Sequence, residues 1–443
     1  MAETRPLNVL CLASYFKGND FLRECKRQGC TIFLLTLDKL EHSPWDRDCI
    51  DELFHVPDLS DRQAAVNTVS YITRTREIDR IVPLDDYDVE IAAALREHLR
   101  VPGMGDTTAR YFRDKLAMRF QARDRYILVP PFVPILNHRR IAEFMESVPP
   151  PWVLKPRSEA AAAGIKRISN PNDLWPQLDD LGDRQSYFIL EKYVPGDVYH
   201  VDAVVYEREV LFAEPHCYGS PPLDVAQDGG IFTSMTLARD SADAQTLLSL
   251  HGEVLRALNF VRGVTHTEFI KSNEDGRFYF LETAARVGGA YLMELIKAST
   301  GLDLWAEWAR IEIAGGERPY VLPDHRRDYA GIIISLARQE RPDMSEYTDP
   351  EIAWRLDQAH HAGLVVTSPD PDRVKSLIDS YIPRFYADFH ASQPPLDKPL
   401  SEGHMCGCPD GKRSWCANRA PLVGAPTIRT LQVKVIYPHL TPG

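Results

Sequence analysis

The chain has 443 residues, which is more than one ordinary hydrophobic core holds and predicts roughly two to four domains. Apolar residues make up 44% and charged residues 26%, as in globular proteins that fold in water. Its 51 Lys and Arg against 63 Asp and Glu leave a formal net charge of −12, which disfavours nucleic acid or an anionic membrane as partner. No apolar run is long enough to span a bilayer. We expect a cytoplasmic protein, because the cysteines are scattered singly like reduced thiols.

Strand and helix signals alternate over the first 105 residues. Short apolar runs at 8–13, 31–36 and 81–84 predict strands, and segments with a helical apolar period follow them. Strands that alternate with helices form parallel sheets. The sequence therefore predicts an N-terminal α/β domain over residues 1–105.

The pattern changes after residue 105. A helix with an Arg-rich face is predicted over 106–126, and residues 106–315 as a whole mix strands and helices in the manner of an α+β domain. Residues 316–390 predict a smaller C-terminal α/β unit. Residues 391–443 are rich in Pro, Gly and Cys without periodicity, so we expect a poorly ordered tail.

Residues 264–286 carry the most informative pattern, two β-rich runs around a polar turn. A three-residue loop over 274–276, with Gly276 in the left-handed conformation, places Glu268 directly opposite Glu282. Cβ atoms of such cross-strand pairs lie roughly 4.5–5.5 Å apart, and like charges at that distance repel unless a cation separates them. Mg²⁺ prefers carboxylate oxygens, so the pair predicts a magnesium site.

The same register assigns the other side chains of the hairpin to its two faces. The face of the glutamates also carries His266, Ile270, Phe280 and Arg286. Phe269 and Leu281 are expected to pair on the opposite face as core residues. The alternative is an exposed hairpin with an unpaired acidic pair, and a slip of one residue would separate the two glutamates onto opposite faces. A lone histidine on a strand is usually structural, which makes His266 a weaker candidate.

Residues 152–165 combine a strand, a lysine and a run of small residues. Lys155 lies at the predicted strand end, where its ammonium group can reach a phosphate. The small residues of 158–164 let backbone N–H groups approach a phosphate closely. The alternative is a strand end followed by an alanine-rich helix start. The chain has no G-x-x-x-x-G-K-[ST] motif, so a nucleotide has to be held in another way.

In order and spacing, these segments resemble the ATP-grasp superfamily, above all its carboxylate–amine ligases, with an organisation also seen in biotin carboxylase. The resemblance is strongest from residue 106 to about residue 316. It implies an ATP-grasp domain between the N-terminal α/β domain and the small C-terminal unit. It also implies ATP and Mg²⁺ as cofactors, with Mn²⁺ able to replace Mg²⁺.

The resemblance assigns the phosphate-binding groups residue by residue. Lys115 follows Asp114 as in the family's D-K pair, and the further matches are Lys155 and, in the family's mobile loop, Ser158 and Gly164. Arg286 matches the arginine near the transferred phosphoryl group. Arg286 and Lys155 are therefore the expected catalytic residues.

The resemblance likewise implies a nucleoside site and a metal site. The adenine-reading hinge corresponds to Glu191, Lys192 and Val194, the ribose contact to Asp197 or His200, and the groups flanking adenine to Ile270 and Phe280. Glu268 and Glu282 match the two metal ligands. Ala284 replaces an asparagine that is often a third ligand, a change that Mg²⁺ tolerates because it keeps several waters.

The implied reaction transfers a phosphoryl group from ATP to a carboxylate, and an amine then converts the acyl phosphate into an amide, with ADP and phosphate as the other products. The expected partners are a small-molecule carboxylate and an amine, with neither nucleic acid nor membrane, and a homodimer is left open. Two alternatives remain. One is a carboxylase-like enzyme that activates bicarbonate, and the other is a non-catalytic ATP-binding regulator, suggested by Ala284.

Overall fold

The structure is a computed structural model that describes residues 5–160 and 162–391. The predicted tail, residues 391–443, falls outside the described residues except for residue 391. The strands, in chain order, are β1 Asn8–Ala13, β2 Thr31–Leu37, β3 Glu52–Val56, β4 Arg80–Pro83, β5 Phe132–Pro134, β6 Trp152–Pro156, β7 Lys166–Ile168, β8 Phe188–Lys192, β9 Gly196–Tyr206, β10 Glu209–Tyr218, β11 Phe232–Thr236, β12 Gly263–Ser272, β13 Phe278–Ala284, β14 Tyr329–Leu336, β15 Ile352–Arg355 and β16 His361–Ser368. The α-helices are α1 Asn19–Arg27, α2 Arg62–Ile72, α3 Val89–Leu99, α4 Asp106–Arg110, α5 Lys115–Asp124, α6 His138–Ser147, α7 Pro171–Leu181, α8 Pro222–Asp228, α9 Ala242–Ala257, α10 Leu292–Thr300, α11 Leu304–Ala314 and α12 Pro371–Asp388.

The N-terminal domain is built on a parallel sheet with the strand order β3-β2-β1-β4, as predicted. Helices cover both faces, which explains why the strands read as continuous apolar runs rather than alternating ones. β1 and β4 are neighbours in register, Leu12 beside Pro83, so the loops that follow them leave the same edge of the sheet. That edge is where ligands bind in open parallel sheets.

Two antiparallel sheets follow. The smaller has the order β5-β8-β6-β7, and the larger has eight strands in the order β13-β12-β9-β10-β11-β14-β16-β15. The strands of the predicted C-terminal unit, β14 to β16, continue the large sheet through the pairing of β11 with β14. The α/β class with an α+β nucleotide domain is confirmed, while the exact domain boundaries stay predictions.

The prediction of a single helix over 106–126 is wrong, because the helix is interrupted between α4 and α5. Asp114 causes the break: its carboxylate accepts hydrogen bonds from the backbone N–H groups of Leu116 (2.9 Å) and Ala117 (3.4 Å) and so caps α5. Arg157 also donates to this carboxylate, at 2.9 Å from Nε. The capped start places Lys115 in the first turn of α5.

The turn between β12 and β13 is one residue longer than predicted. The N–H of Ser272 donates to the carbonyl of Arg277 at 2.9 Å, which leaves four residues in the loop instead of three. Gly276 has a φ of 69°, the left-handed conformation that the sequence predicted for it.

A β-bulge after Glu268 compensates for the longer turn. Glu268 still pairs with Glu282, but the next pair is Phe269 with Phe280, and Leu281 is the extra residue of the bulge. The expected pairing of Phe269 with Leu281 is therefore wrong, while the facing glutamates are found where the pattern placed them.

Candidate active site

A cavity of about 710 Å³ lies where the N-terminal sheet edge and the two antiparallel sheets meet. Asp86 reaches it from the loop after β4, Lys155 from β6, and Glu268 from β12. The cavity thus collects side chains from elements that are far apart in the sequence.

Most of the site residues predicted from the sequence line this cavity. The nine that do so are Lys115, Lys155, Glu191, Lys192, Val194, Glu268, Ile270, Glu282 and Arg286. The five that are not among its lining residues are Ser158, Gly164, Asp197, His200 and Phe280.

The two facing glutamates have different partners. Glu268 Oε1 accepts a hydrogen bond from the Tyr218 hydroxyl at 2.9 Å and lies 3.6 Å from His266 Nε2. Glu282 Oε2 lies 2.9 Å from Lys115 Nζ. Burial raises the pKa of Glu268, but the neighbouring His266, Tyr218 and His200 together oppose it, and the net effect is a lowered pKa. Both glutamates therefore point their carboxylate oxygens to one side of the cavity.

This donor set fits a magnesium ion. Two carboxylates on adjacent positions of neighbouring strands supply the hard oxygen ligands that Mg²⁺ prefers, and protein cations relieve their repulsion when no metal is bound. Ala284, paired with His266, offers no side-chain ligand. The remaining coordination positions are left to water and substrate oxygens.

Lys155 is held by a buried ion-pair network. Its Nζ lies 2.6 Å from Glu191 Oε2, and Glu191 Oε1 lies 2.5 Å from Nε of Arg119, which is fully buried on α5. Burial lowers the pKa of Lys155, against the opposing influence of Glu191. The Glu191 side chain thus acts as the counter-ion of two cations. The sequence analysis missed Arg119, which lies in the Arg-rich helix without a motif of its own.

Arg286 lies beside an unexpected partner, Asp86. Its Nη2 is 3.7 Å from Asp86 Oδ2, which Arg113 Nη1 approaches to 2.6 Å. Burial raises the pKa of Asp86, yet the nearby Arg113 and Arg286 guanidinium groups lower it overall. Within the described part of the chain, the buried Nε of Arg286 has no hydrogen-bond partner. Arg286 therefore retains a donor beside the cavity.

The hinge segment offers one free backbone donor. The N–H of Lys192 donates to Pro131 at 2.8 Å, and the N–H of Tyr193 donates to Pro151 at 3.0 Å. No group in residues 5–160 or 162–391 accepts a hydrogen bond from the N–H of Val194. The side chain of Val194 belongs to an apolar cluster with Ile270 beside this donor.

Neither ribose candidate is placed at the cavity. His200 is fully buried, and both of its ring nitrogens have hydrogen-bond partners inside the protein. Nδ1 lies 2.6 Å from Asp202 Oδ2, and Nε2 lies 2.7 Å from Ser234 Oγ. Asp197 is exposed, because side chains alternate along β9 and Val198, not Asp197, points into the cavity. The sequence could not show which nitrogen atoms were already satisfied.

Phe280 is also misplaced in the sequence prediction. It is 1% exposed and packs on Phe269 in the core, with ring centroids 6.0 Å apart. The bulge places Leu281 at the cavity instead, packed against the apolar cluster that contains Ile270. The apolar walls available to a base are therefore Ile270 and Leu281.

The small-residue loop reaches the cavity through its central residues. Glu159, Ala160, Ala162 and Ala163 line the cavity, whereas Ser158 and Gly164 flank them. Lys115 Nζ donates to the carbonyl of Glu159 at 2.7 Å. Residue 161 lies outside the described residues. The alanine-rich helix alternative is not found, since the described residues of the loop form no helix.

The sequence analysis missed a chain of polar side chains behind the two facing glutamates. Asp202 Oδ1 lies 2.9 Å from His266 Nδ1, while His266 Nε2 faces Tyr218 and Glu268. Burial lowers the pKa of His266, but Asp202 and Glu268 together raise it to about 10. The sequence did contain a sign of these contacts, because His200 and Asp202 lie two residues apart and so share one face of a strand. Polar residues on a buried face require hydrogen-bond partners.

Known proteins were compared with the chain in sequence and in structure. No protein-family model matches it. An L-arginine-specific L-amino acid ligase of Bacillus subtilis is 23% identical over 300 residues, 66% of this chain and 72% of the relative. None of the helices among the described residues is both long and apolar enough to cross a membrane.

Solved structures share the fold at low sequence identity. An L-amino acid ligase from Bacillus licheniformis superposes with a TM-score of 0.66 at 17% identity, covering 88% of this chain and 100% of that one. A carboxyaminoimidazole ribonucleotide synthase from Aspergillus clavatus, complexed with ATP, gives a TM-score of 0.67 at 17% identity, covering 86% and 99%. A biotin carboxylase domain from Hydrogenobacter thermophilus with MgADP gives 0.63 at 15%, covering 87% and 90%. These comparisons confirm the resemblance predicted from the sequence: the chain has the fold of the ATP-grasp carboxylate–amine ligases.

Proposed function

We propose that this protein is a ligase that uses Mg-ATP to phosphorylate a carboxylate and then joins the acyl group to an amine. One observation carries the proposal. Three cations, Lys115, Lys155 and Arg286, line the same cavity as the facing pair Glu268 and Glu282. Cations and a carboxylate pair around one space provide the electrostatic stabilisation that phosphoryl transfer requires.

The nucleoside is assigned to the apolar end of the cavity. The N–H of Val194 donates to the edge of the base, and the neighbouring side chains of Ile270 and Leu281 pack on the base. Lys155 and Lys115 then reach the phosphates, the first released from Glu191 and the second from Glu282. Both lysines are held near their positions before the nucleotide binds, which lowers the entropy cost of ordering them.

Glu268 and Glu282 would hold the magnesium ion, which supplies charge neutralisation and orientation for the β- and γ-phosphates. The substrate carboxylate oxygen attacks the γ-phosphorus, the bond from that phosphorus to the β–γ bridging oxygen breaks, and ADP leaves. Arg286, with its free Nε, donates to the transferred group. The amine then attacks the acyl carbon, the C–O bond to phosphate breaks, and the amine loses a proton as the amide forms.

We propose amino acids as the substrate class. The supporting facts are the two relatives described as L-amino acid ligases, one by sequence and one by fold. The charged groups at the edge of the N-terminal sheet, among them Lys17 and Asp86, supply both signs of charge at the cavity, which suits a zwitterionic substrate. The predictions of a cytoplasmic location and of a homodimer stay predictions.

An ADP-release screen tests the proposal. The purified chain is incubated with Mg-ATP and the twenty amino acids, singly and in pairs, and ADP is measured with a coupled assay. We expect release that requires one or two particular amino acids, with a dipeptide-like product visible by mass spectrometry. ADP release that instead requires bicarbonate identifies the carboxylase alternative. ATP binding without any ADP release identifies the regulator alternative.

A further inference from the structure

A second cavity, of about 240 Å³, lies between the N-terminal domain and the nucleotide domain and shares no lining residue with the first. Arg80 on β4 and Arg96 on α3 line it from one side. Phe260 and Arg262, just before β12, line it from the other side, with Trp308 of α11. Nothing in the proposed ligase reaction uses these residues.

Two arginines of this second cavity form no direct ion pair with an acidic side chain of the described residues. Arg80 and Arg96 are only 7% and 6% exposed, and no carboxylate oxygen of the described residues lies within 4.0 Å of either guanidinium group. Their hydrogen bonds go to backbone carbonyls alone. Arg80 donates to Glu312 and Asp79, both at 2.9 Å, and Arg96 to Ile81 and, at 3.3 Å, Met104. Burying a cation without a direct ion pair is costly: burial lowers the pKa of Arg96, and the more distant Glu312 carboxylate only partly opposes that shift.

The other charged side chains in the lining do not cancel the positive charge of Arg80 and Arg96. Arg262 adds a third guanidinium group, whose Nε lies 3.1 Å from Glu207 at the surface. Glu312 is the one acidic side chain in the lining, and its Oε1 accepts a hydrogen bond from Trp308 Nε1 at 3.0 Å. With Arg262 paired to Glu207, the buried guanidinium groups of Arg80 and Arg96 face the single carboxylate of Glu312 in the described lining.

Glycines leave room for the guanidinium groups. A Cβ atom on Gly103 would lie 2.7 Å from Arg96 Nε, and one on Gly315 would lie 2.1 Å from Arg80 Nη2. Both glycines have positive φ, 145° and 60°, which side chains disfavour. The backbone is thus shaped around the two arginines.

We propose that this second cavity is a binding site for a small organic oxyanion, a phosphate monoester or a carboxylate, with an apolar body. Arg80 and Arg96 bind the oxyanion, since guanidinium groups match the planar and tetrahedral oxyanions equally well. Met104, Phe260 and Trp308 pack on the body of the ligand. Sites for drug-sized ligands span roughly 300–1,000 Å³, so this cavity takes a smaller molecule. Ala285, just after β13, lines this second cavity, and the next residue, Arg286, lines the first cavity. The ligand therefore binds close to the proposed active site.

Calorimetric titration of the full chain tests this site, with phenyl phosphate and benzoate as probes. Saturating Mg-ADP is present throughout, so that neither probe can bind in place of the nucleotide, and the variants of the second cavity distinguish it from the substrate end of the first. We expect binding at one site per chain. The probe that binds more tightly identifies phosphate or carboxylate as the natural group. The Arg80→Met variant is expected to weaken that binding at least tenfold.

Two further variants separate this site from a general effect of charge or folding. Thr108→Trp fills the cavity from α4 and keeps both arginines, and it is expected to weaken binding at least tenfold. Arg139→Met removes an exposed arginine of α6 that pairs with Glu143, and it should bind as the unmodified chain does. The proposal is overturned if neither probe binds in the presence of Mg-ADP. It is equally overturned if Arg80→Met and Thr108→Trp both keep the original affinity.

Discussion

Replacing Glu282 with Gln tests the metal site directly, because the change keeps the shape of the side chain and removes one charge. Glu282 faces Glu268 across the hairpin and lies 2.9 Å from Lys115 Nζ. An amide oxygen is a weaker ligand for Mg²⁺ than a carboxylate oxygen. The variant therefore weakens the metal site and also releases Lys115 from its ion pair.

We expect ADP formation to fall on the order of a hundredfold or more, which corresponds to about 2.7 kcal/mol of transition-state stabilisation. Relief of the like-charge pair by itself would stabilise the nucleotide-free protein slightly. The structure changes that expectation, since Glu282 also neutralises the buried Lys115. We expect a net loss in the free energy of unfolding of about 1 kcal/mol or less, because the Glu282 side chain is one-third exposed and screened by solvent.

The assay is coupled ADP release at varied Mg²⁺, using the substrates found in the amino-acid screen. Glu274→Gln is the matched control, because Glu274 is an equally acidic residue of the same hairpin, but it is exposed in the turn. It should retain normal turnover, and urea denaturation gives the stability of both variants. Turnover by Glu282→Gln within about threefold of the unmodified chain would refute the assignment of the carboxylate pair as the metal site.

Three other predictions concern the cavity walls. Arg119→Met should lower the free energy of unfolding by about 3 kcal/mol, because it leaves Glu191 buried with one cation fewer. Urea denaturation measures this loss. A loss no larger than that of Arg123→Met, which changes an exposed arginine, would contradict the prediction. Leu281→Ala should raise the KM for ATP several-fold at little cost in stability, because Leu281 lines the cavity. Phe280→Ala should instead lower the free energy of unfolding by about 3–5 kcal/mol, measured by denaturation, because Phe280 is a core residue. The reverse pattern would contradict the bulge and support the register without it. Mg-ATP should slow tryptic cleavage after Lys166, next to the small-residue loop, and equal rates with and without nucleotide would count against closure of that loop.

The pattern of residues along the chain was sufficient for much of this architecture. Alternating strand and helix signals predicted the parallel sheet, and the hairpin pattern predicted that Glu268 faces Glu282. Both are local properties, since periodicity and turn chemistry act over a few residues. The lysine at the end of β6 and the ATP-grasp resemblance likewise followed from order and spacing.

Tertiary structure decided which side chains reach the cavity. The bulge that exchanges Phe280 for Leu281 compensates for a turn one residue longer, and only the pairing of β12 with its neighbours sets that register. His200 is withdrawn from the cavity because Asp202 and Ser234, on the same and a distant strand, already satisfy its ring nitrogens. Ser234 lies 34 residues from His200, and no local pattern specifies that partner. Long-range packing and the pairing of buried polar groups therefore determined the details of the site, while local periodicity determined its framework.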